Sequence, residues 1–301
     1  MRLAVRLRGI AAGACAGCGL GLAATAHAVL LAYEPFEYGD VAVPAEGQYA
    51  VGDENAGVGL LGGQDPPIGP TAFYTGPWVQ SGGDSQVVKA LPSHAYPDYP
   101  AGVGGIQQDT IQFSCCSFGR SGRPITTLGG GPERLIVYES FLIDFGSQGT
   151  DPVAQFGLRG HELWDGAVGD AFRCVMLFVD HFEGIDELSL RVETPSTSQT
   201  VPIQGGGLTL PVMAALNGGV HLVVMRYDFA PGLPDSVRVY FDPIGELEPA
   251  VPDAVVIVPE SDLLITHHGA FSQFIFSGAG HVPGAIDEIR LVTSAPLAAS
   301  R

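Results

Sequence analysis

From about residue 134 onward, apolar and polar residues alternate with a period of two in segment after segment, the pattern of strands with one buried and one solvated face. In Asp235-Ser236-Val237-Arg238-Val239-Tyr240-Phe241-Asp242, Val237, Val239 and Phe241 share one face, opposite Arg238 and Asp242. Segments 135–145, 153–158, 172–182, 185–192, 220–229, 255–258, 271–276 and 286–292 read as further strands, divided by Gly- and Asp-rich connections. Residues 222–225 are apolar on both faces and predict a central strand. Nearer the start, 29–36, 86–89 and 106–112 read as strands, and Gly76-Pro77 is a turn between Phe73-Tyr74 and Trp78-Val79. Helical periodicity is confined to 210–218, one or two turns at most. A dozen or so strands joined by turns predict an all-β fold of two packed antiparallel sheets.

Residues 1–28 depart from this pattern. Arg2, Arg6 and Arg8 precede an Ala/Gly/Leu run that ends in Ala26-His27-Ala28, the three parts of a secretory signal peptide cleaved after Ala28. The expected mature protein is one domain, 29–301, exported to the periplasm, the cell envelope or the extracellular space. No later stretch is apolar for long enough to span a membrane.

Without the leader's three arginines, 11 basic residues face 32 acidic ones, a net charge of −21. Such a surface repels phosphate backbones and excludes nucleic acid as the expected partner. Three cysteines remain, Cys115, Cys116 and Cys174. In an exported protein the expected bridge joins Cys174 to Cys115 or Cys116, with no basis in sequence for choosing. Three thiols without a fourth ligand at motif spacing do not predict a metal site.

Two near-copies, Gly184-Ile185-Asp186-Glu187-Leu188 and Gly284-Ala285-Ile286-Asp287-Glu288-Ile289-Arg290-Leu291, carry the same acidic pair. On a strand the adjacent members point to opposite faces, and no carboxylate follows two residues on, so the paired carboxyls of a glycosidase are missing. Alternation puts Asp186 with Leu188 and Leu190, and Asp287 with Ile289 and Leu291, on the side expected to be buried. Both are read as structural carboxylates of a turn or strand start, with a calcium contact as the functional alternative and no cofactor otherwise implied. The seven mature histidines show no zinc spacing. Gly129-Gly130-Gly131 and Gly205-Gly206-Gly207 lack a following Lys-Ser/Thr and read as flexible loop tips. For sugar recognition the first candidates are Trp164, Asp165 and His161 on an expected hairpin at 160–166, with Tyr96 and Tyr99 second; Trp78 reads as structural.

Five stretches in order, Leu31-Ala32-Tyr33-Glu34-Pro35-Phe36-Glu37-Tyr38, Gly76-Pro77-Trp78, Tyr138-Glu139-Ser140-Phe141-Leu142-Ile143, Asp235-Ser236-Val237-Arg238-Val239-Tyr240 and Gly284-Ala285-Ile286-Asp287-Glu288-Ile289-Arg290, resemble the exported bacterial concanavalin A-like (LamG-like jelly-roll) proteins. The resemblance implies a two-sheet antiparallel jelly-roll sandwich, a scaffold that in relatives hosts lectins, adhesion modules and glycosidases. With the catalytic strand pattern missing, the expectation is a non-catalytic binding or adhesion module for a polysaccharide or cell-surface glycan. The alternatives are a divergent hydrolase or lyase on the same fold, or a purely structural surface or matrix protein.

Overall fold

The computed structural model describes residues 29–34, 73–82, 86–89, 95–97, 99, 106–109, 117–144, 156–164, 174–182, 185–194, 197–203, 219–243, 248–249, 251–259, 263–276 and 285–293. The leader, the 210–218 segment, Asp165, Cys115 and Cys116 lie outside these residues. The described strands are β1 (Leu30–Glu34), β2 (Val79–Gly82), β3 (Gln86–Lys89), β4 (Ile106–Asp109), β5 (Ser117–Leu128), β6 (Leu135–Asp144), β7 (Phe156–Trp164), β8 (Cys174–Phe182), β9 (Ile185–Glu193), β10 (Ser198–Pro202), β11 (Val220–Phe229), β12 (Asp235–Phe241), β13 (Ala254–Val258), β14 (Ile265–Phe276) and β15 (Ala285–Val292). They form an eight-stranded sheet in the order β13-β12-β11-β6-β15-β4-β3, with β1 beside β15, and a seven-stranded sheet in the order β10-β9-β8-β7-β14-β5-β2. The described pairings are antiparallel. The all-β, two-sheet antiparallel sandwich expected from the alternation is the fold observed.

The sheets meet through one apolar core. Val137, Phe141, Ile143, Val223, Met225, Val237, Val239, Phe241, Ile289 and Leu291 from the larger sheet pack with Ile125, Val175, Leu177, Leu188, Leu190, Val192 and Ile265 from the other. Trp78 is 1% exposed in this core, which accounts for its structural reading. Glu139 is also fully buried and accepts a 2.6 Å hydrogen bond from the Tyr227 hydroxyl, the partner a carboxylate needs there. Burial first, and the Glu139 charge second, push the Tyr227 hydroxyl well above its ordinary pKa.

Several elements differ from their sequence reading. β5 and β10 were not expected, because neither the Gly-containing β5 nor the short polar β10 has a clear apolar face. Of the hairpin expected at 160–166, Gly160 to Trp164 instead continue β7 between β14 and β8, and 165–166 lie outside the described residues. Gly129 is not a flexible loop tip. It adopts a left-handed φ of 87°, and a Cβ there would lie 2.4 Å from the Leu263 carbonyl oxygen and 2.8 Å from the Phe229 ring.

Cys174 opens β8 and pairs with Trp164 of β7. Cys115 and Cys116, its two expected partners, lie outside the described residues.

The bulge in β15 changes the face of one singled-out residue. Asp287 pairs with Leu142 and Arg290 with Ser140, three residues against two. The extra residue shifts the alternation, so Asp287 stands on the face of Leu142, away from the core, while Ile289 and Leu291 remain inside. Asp287 is nonetheless fully buried, because that outer face is itself covered.

Candidate functional site

Of the residues first singled out for sugar recognition, His161 and Trp164 lie on the single strand β7 of the seven-stranded sheet, and Asp165 lies outside the described residues. Asp186 lies on β9 of the same sheet, opposite His181. Tyr96 and Tyr99 instead lie against the outer face of the eight-stranded sheet, beside a second apolar cluster of Tyr138, Leu142, Leu222, Val224 and Tyr240.

Strand alternation builds this face. Residues at every second position of β6, β11 and β12 enter the core, and those between them point outward. The antiparallel register lines the outward residues up in rows across the strands. One row runs Tyr33, Arg290, Ser140, Val224, Tyr240, and the next Val292, Tyr138, Arg226, Arg238, Val255. The first row crosses five strands, a span of about 19 Å at about 4.8 Å per strand. The 95–99 segment lies over these rows, its turn closed by a 3.1 Å bond from the Tyr99 N–H to the Tyr96 carbonyl. The Tyr99 hydroxyl is 2.9 Å from Ser140 Oγ. The Arg290 guanidinium lies 4.9 Å from the Tyr33 ring centre and 4.8 Å from that of Tyr99. Each such contact contributes about 0.5–1 kcal/mol at a partly exposed site, so the two fix ring positions more than they stabilise the fold.

Two carboxylate centres organise the polar part. Glu248 accepts from Tyr138 Oη at 2.5 Å, Arg226 Nη1 at 2.6 Å and Tyr240 Oη at 3.3 Å. Burial alone would raise its pKa, but the Tyr138 and Arg226 hydrogen bonds together outweigh that and hold the carboxyl below its usual range. Arg226 Nη2 also reaches Asp228 at 3.4 Å, and Arg134 grips Asp228 with bonds of 2.8 and 2.6 Å. The Arg134 bond is the main cause of the lowered Asp228 pKa. Tyr138 and Tyr240 are pushed up, first by burial and then by the Glu248 carboxylate.

The second centre is Asp242, at a left-handed φ of 46° just after β12. It accepts from the Leu222 N–H at 2.9 Å, lies 2.7 Å from His221 Nδ1, and accepts a hydrogen bond from Tyr96. Burial first, then the Asp242 charge, push Tyr96 up to about 12. Asp253 is raised by burial and by Asp242, against the opposing bond from the Phe241 N–H.

The face therefore offers part-exposed tyrosyl rings, fixed arginines and carboxylates already holding internal donors. That chemistry suits the apolar faces and hydroxyls of a ligand better than proton transfer. Sequence reading missed Tyr138, Arg226, Arg238, Tyr240, Asp242 and Glu248 as a group. The signal that could have found them is polar and aromatic residues at every second position of strands whose other positions are apolar. Among the described residues no group of three or more His, Cys, Asp or Glu is arranged to hold a metal ion, and no helix is long and apolar enough to cross a membrane.

No protein-family model matches the chain, and no curated protein matches it. Among solved structures, it is similar to the endo-β-1,4-glucuronan lyase of the fungus Trichoderma reesei, at 11% identity and a TM-score of 0.42 over 69% of this chain and 87% of that one. It is also similar to the endo-1,3-β-glucanase of Streptomyces sioyaensis, at 12% identity and a TM-score of 0.40 over 77% of this chain and 100% of that one. Lectin II of Ulex europaeus is similar at 14% identity and a TM-score of 0.38, over 73% of this chain and 93% of that one. At such identities and TM-scores, none of them indicates what this chain binds or does.

Proposed function

We propose that the protein is an exported, non-catalytic glycan-binding or adhesion module whose ligand lies across the outer face of the eight-stranded sheet. The observation that carries this reading is the part-exposed set Tyr33, Tyr96 and Tyr99, held on one face by Arg290, Asp242 and Ser140. Rings fixed in advance cover a sugar's apolar face at little conformational cost. The competing reading, a hydrolase or lyase on the same scaffold, draws on Glu248 and Asp228, which share Arg226. Hydrolysis by a carboxyl pair needs one carboxyl that keeps its proton, and Asp228 and Glu248 are both held below the usual range, so this pair does not supply that acid.

The test is affinity electrophoresis of the protein secreted with its own leader, against a panel of polysaccharides with and without calcium. At least one polysaccharide should retard it, and Tyr99→Ala should weaken that retardation about fivefold to tenfold, the loss of about 1–1.4 kcal/mol expected of one stacking ring. Absence of binding to every polysaccharide, in both calcium conditions, would remove the glycan reading. Release of reducing ends or unsaturated sugars would move the assignment to an enzyme. Self-association without polysaccharide binding would move it to a structural surface protein.

A further inference from the structure

Among the described residues, the Arg238 side chain makes no hydrogen bond or ion pair, while Arg226 of the same row makes both. It stands directly across from Arg226 in the β11–β12 register, with Val255 on its other side. Like charges directly opposed on neighbouring strands destabilise a sheet. On the Arg226 side the charge is offset by Glu248 and Asp228, through Nη1 and Nη2. Its Nε, however, is buried without a hydrogen-bond partner. Two guanidinium groups thus lie side by side, one with its full set of donors uncommitted and the other with one donor unsatisfied, beside the hydroxyl of Tyr240. Planar forks of this kind match the oxygens of a carboxylate or sulfate.

Building on the glycan-binding reading, we propose that the ligand is an acidic polysaccharide, with a carboxylate or sulfate oxygen seated on Arg238 and the sugar rings against the part-exposed tyrosines Tyr33, Tyr96 and Tyr99. The overall charge of −18 does not decide against this. At physiological salt the screening length is about 8 Å, so distant surface carboxylates contribute little at the seat, while Arg134, Arg226, Arg238 and Arg290 are gathered on this face. The nearby carboxylates Asp228 and Glu248 are already neutralised by Arg134 and Arg226.

The experiment compares wild type with Arg238→Gln by titration calorimetry at about 0.15 M salt, using polyglucuronate, dextran sulfate and a neutral β-glucan. Wild type should bind at least one of the two anionic polymers more tightly than the neutral glucan, and Arg238→Gln should weaken that binding about tenfold without changing affinity for the neutral polymer. Its thermal midpoint should stay level, since the substitution relieves the like charge opposite Arg226 but also removes an attraction to Asp228. Loss confined to polyglucuronate identifies a carboxylate ligand, and loss confined to dextran sulfate a sulfated one. Anionic binding unaffected by Arg238→Gln, or equal affinity for the neutral glucan, overturns the acidic-ligand inference and leaves glycan binding standing. No binding to any polymer overturns both.

Discussion

At Gly129 the need for glycine is both conformational and steric. A left-handed φ costs about 1 kcal/mol for an ordinary residue, and the added Cβ would meet a backbone carbonyl that cannot swing away. Gly129→Ala should therefore lower stability by about 2–3 kcal/mol. Gly131→Ala, two residues on with nothing within 4 Å of its Cβ, should change it by less than about 0.5 kcal/mol. Urea denaturation of the two variants checks this, and equal midpoints would contradict it. The Glu248 carboxyl makes a different prediction, one of pH. Its folded pKa lies below its ordinary value, which is about 4.3 in an unfolded chain, so the unfolded state takes up a proton first as pH falls. Its contribution is complete above about pH 5 and is lost as pH drops through the ordinary carboxylate values toward the depressed one. Glu248→Gln should be about 1–2 kcal/mol less stable at pH 7, and the two stability curves should converge once pH falls below the depressed Glu248 value. Curves that stay parallel over that range would show that Glu248 does not contribute in this way.

Among the elements, β15 shows most clearly where sequence reading stops. Its strand character was legible from Ile289, Arg290 and Leu291, and strict alternation set Asp287 with the core residues. The bulge opposite Phe141 breaks that phase, and no local residue pattern announces it, because a bulge is defined by the register of two strands. β7 has the same lesson: Gly160 reads as turn chemistry, yet β8 and β14 pair with the run through Trp164 and keep it extended.

For the whole molecule, the period-two alternation by itself determined the fold class and most of the strands, since burying one face of a strand is a local requirement written every second residue. Apolarity on both faces at 222–225 likewise marked β11 as central before any partner was known. The residues reveal that Tyr138, Arg226, Arg238 and Tyr240 point away from the core, but their sequence separations of up to about a hundred residues hide that they form two adjacent rows. Tertiary structure alone decided this, through the β15-β6-β11-β12 order and its register, together with the 95–99 segment that lies over them. It also brought together a face of tyrosines and arginines that the residues singled out in sequence, Trp164, Asp165 and His161, do not include. The physical reason is that alternation fixes which side of a strand a residue takes, whereas a binding face depends on which strands stand beside it.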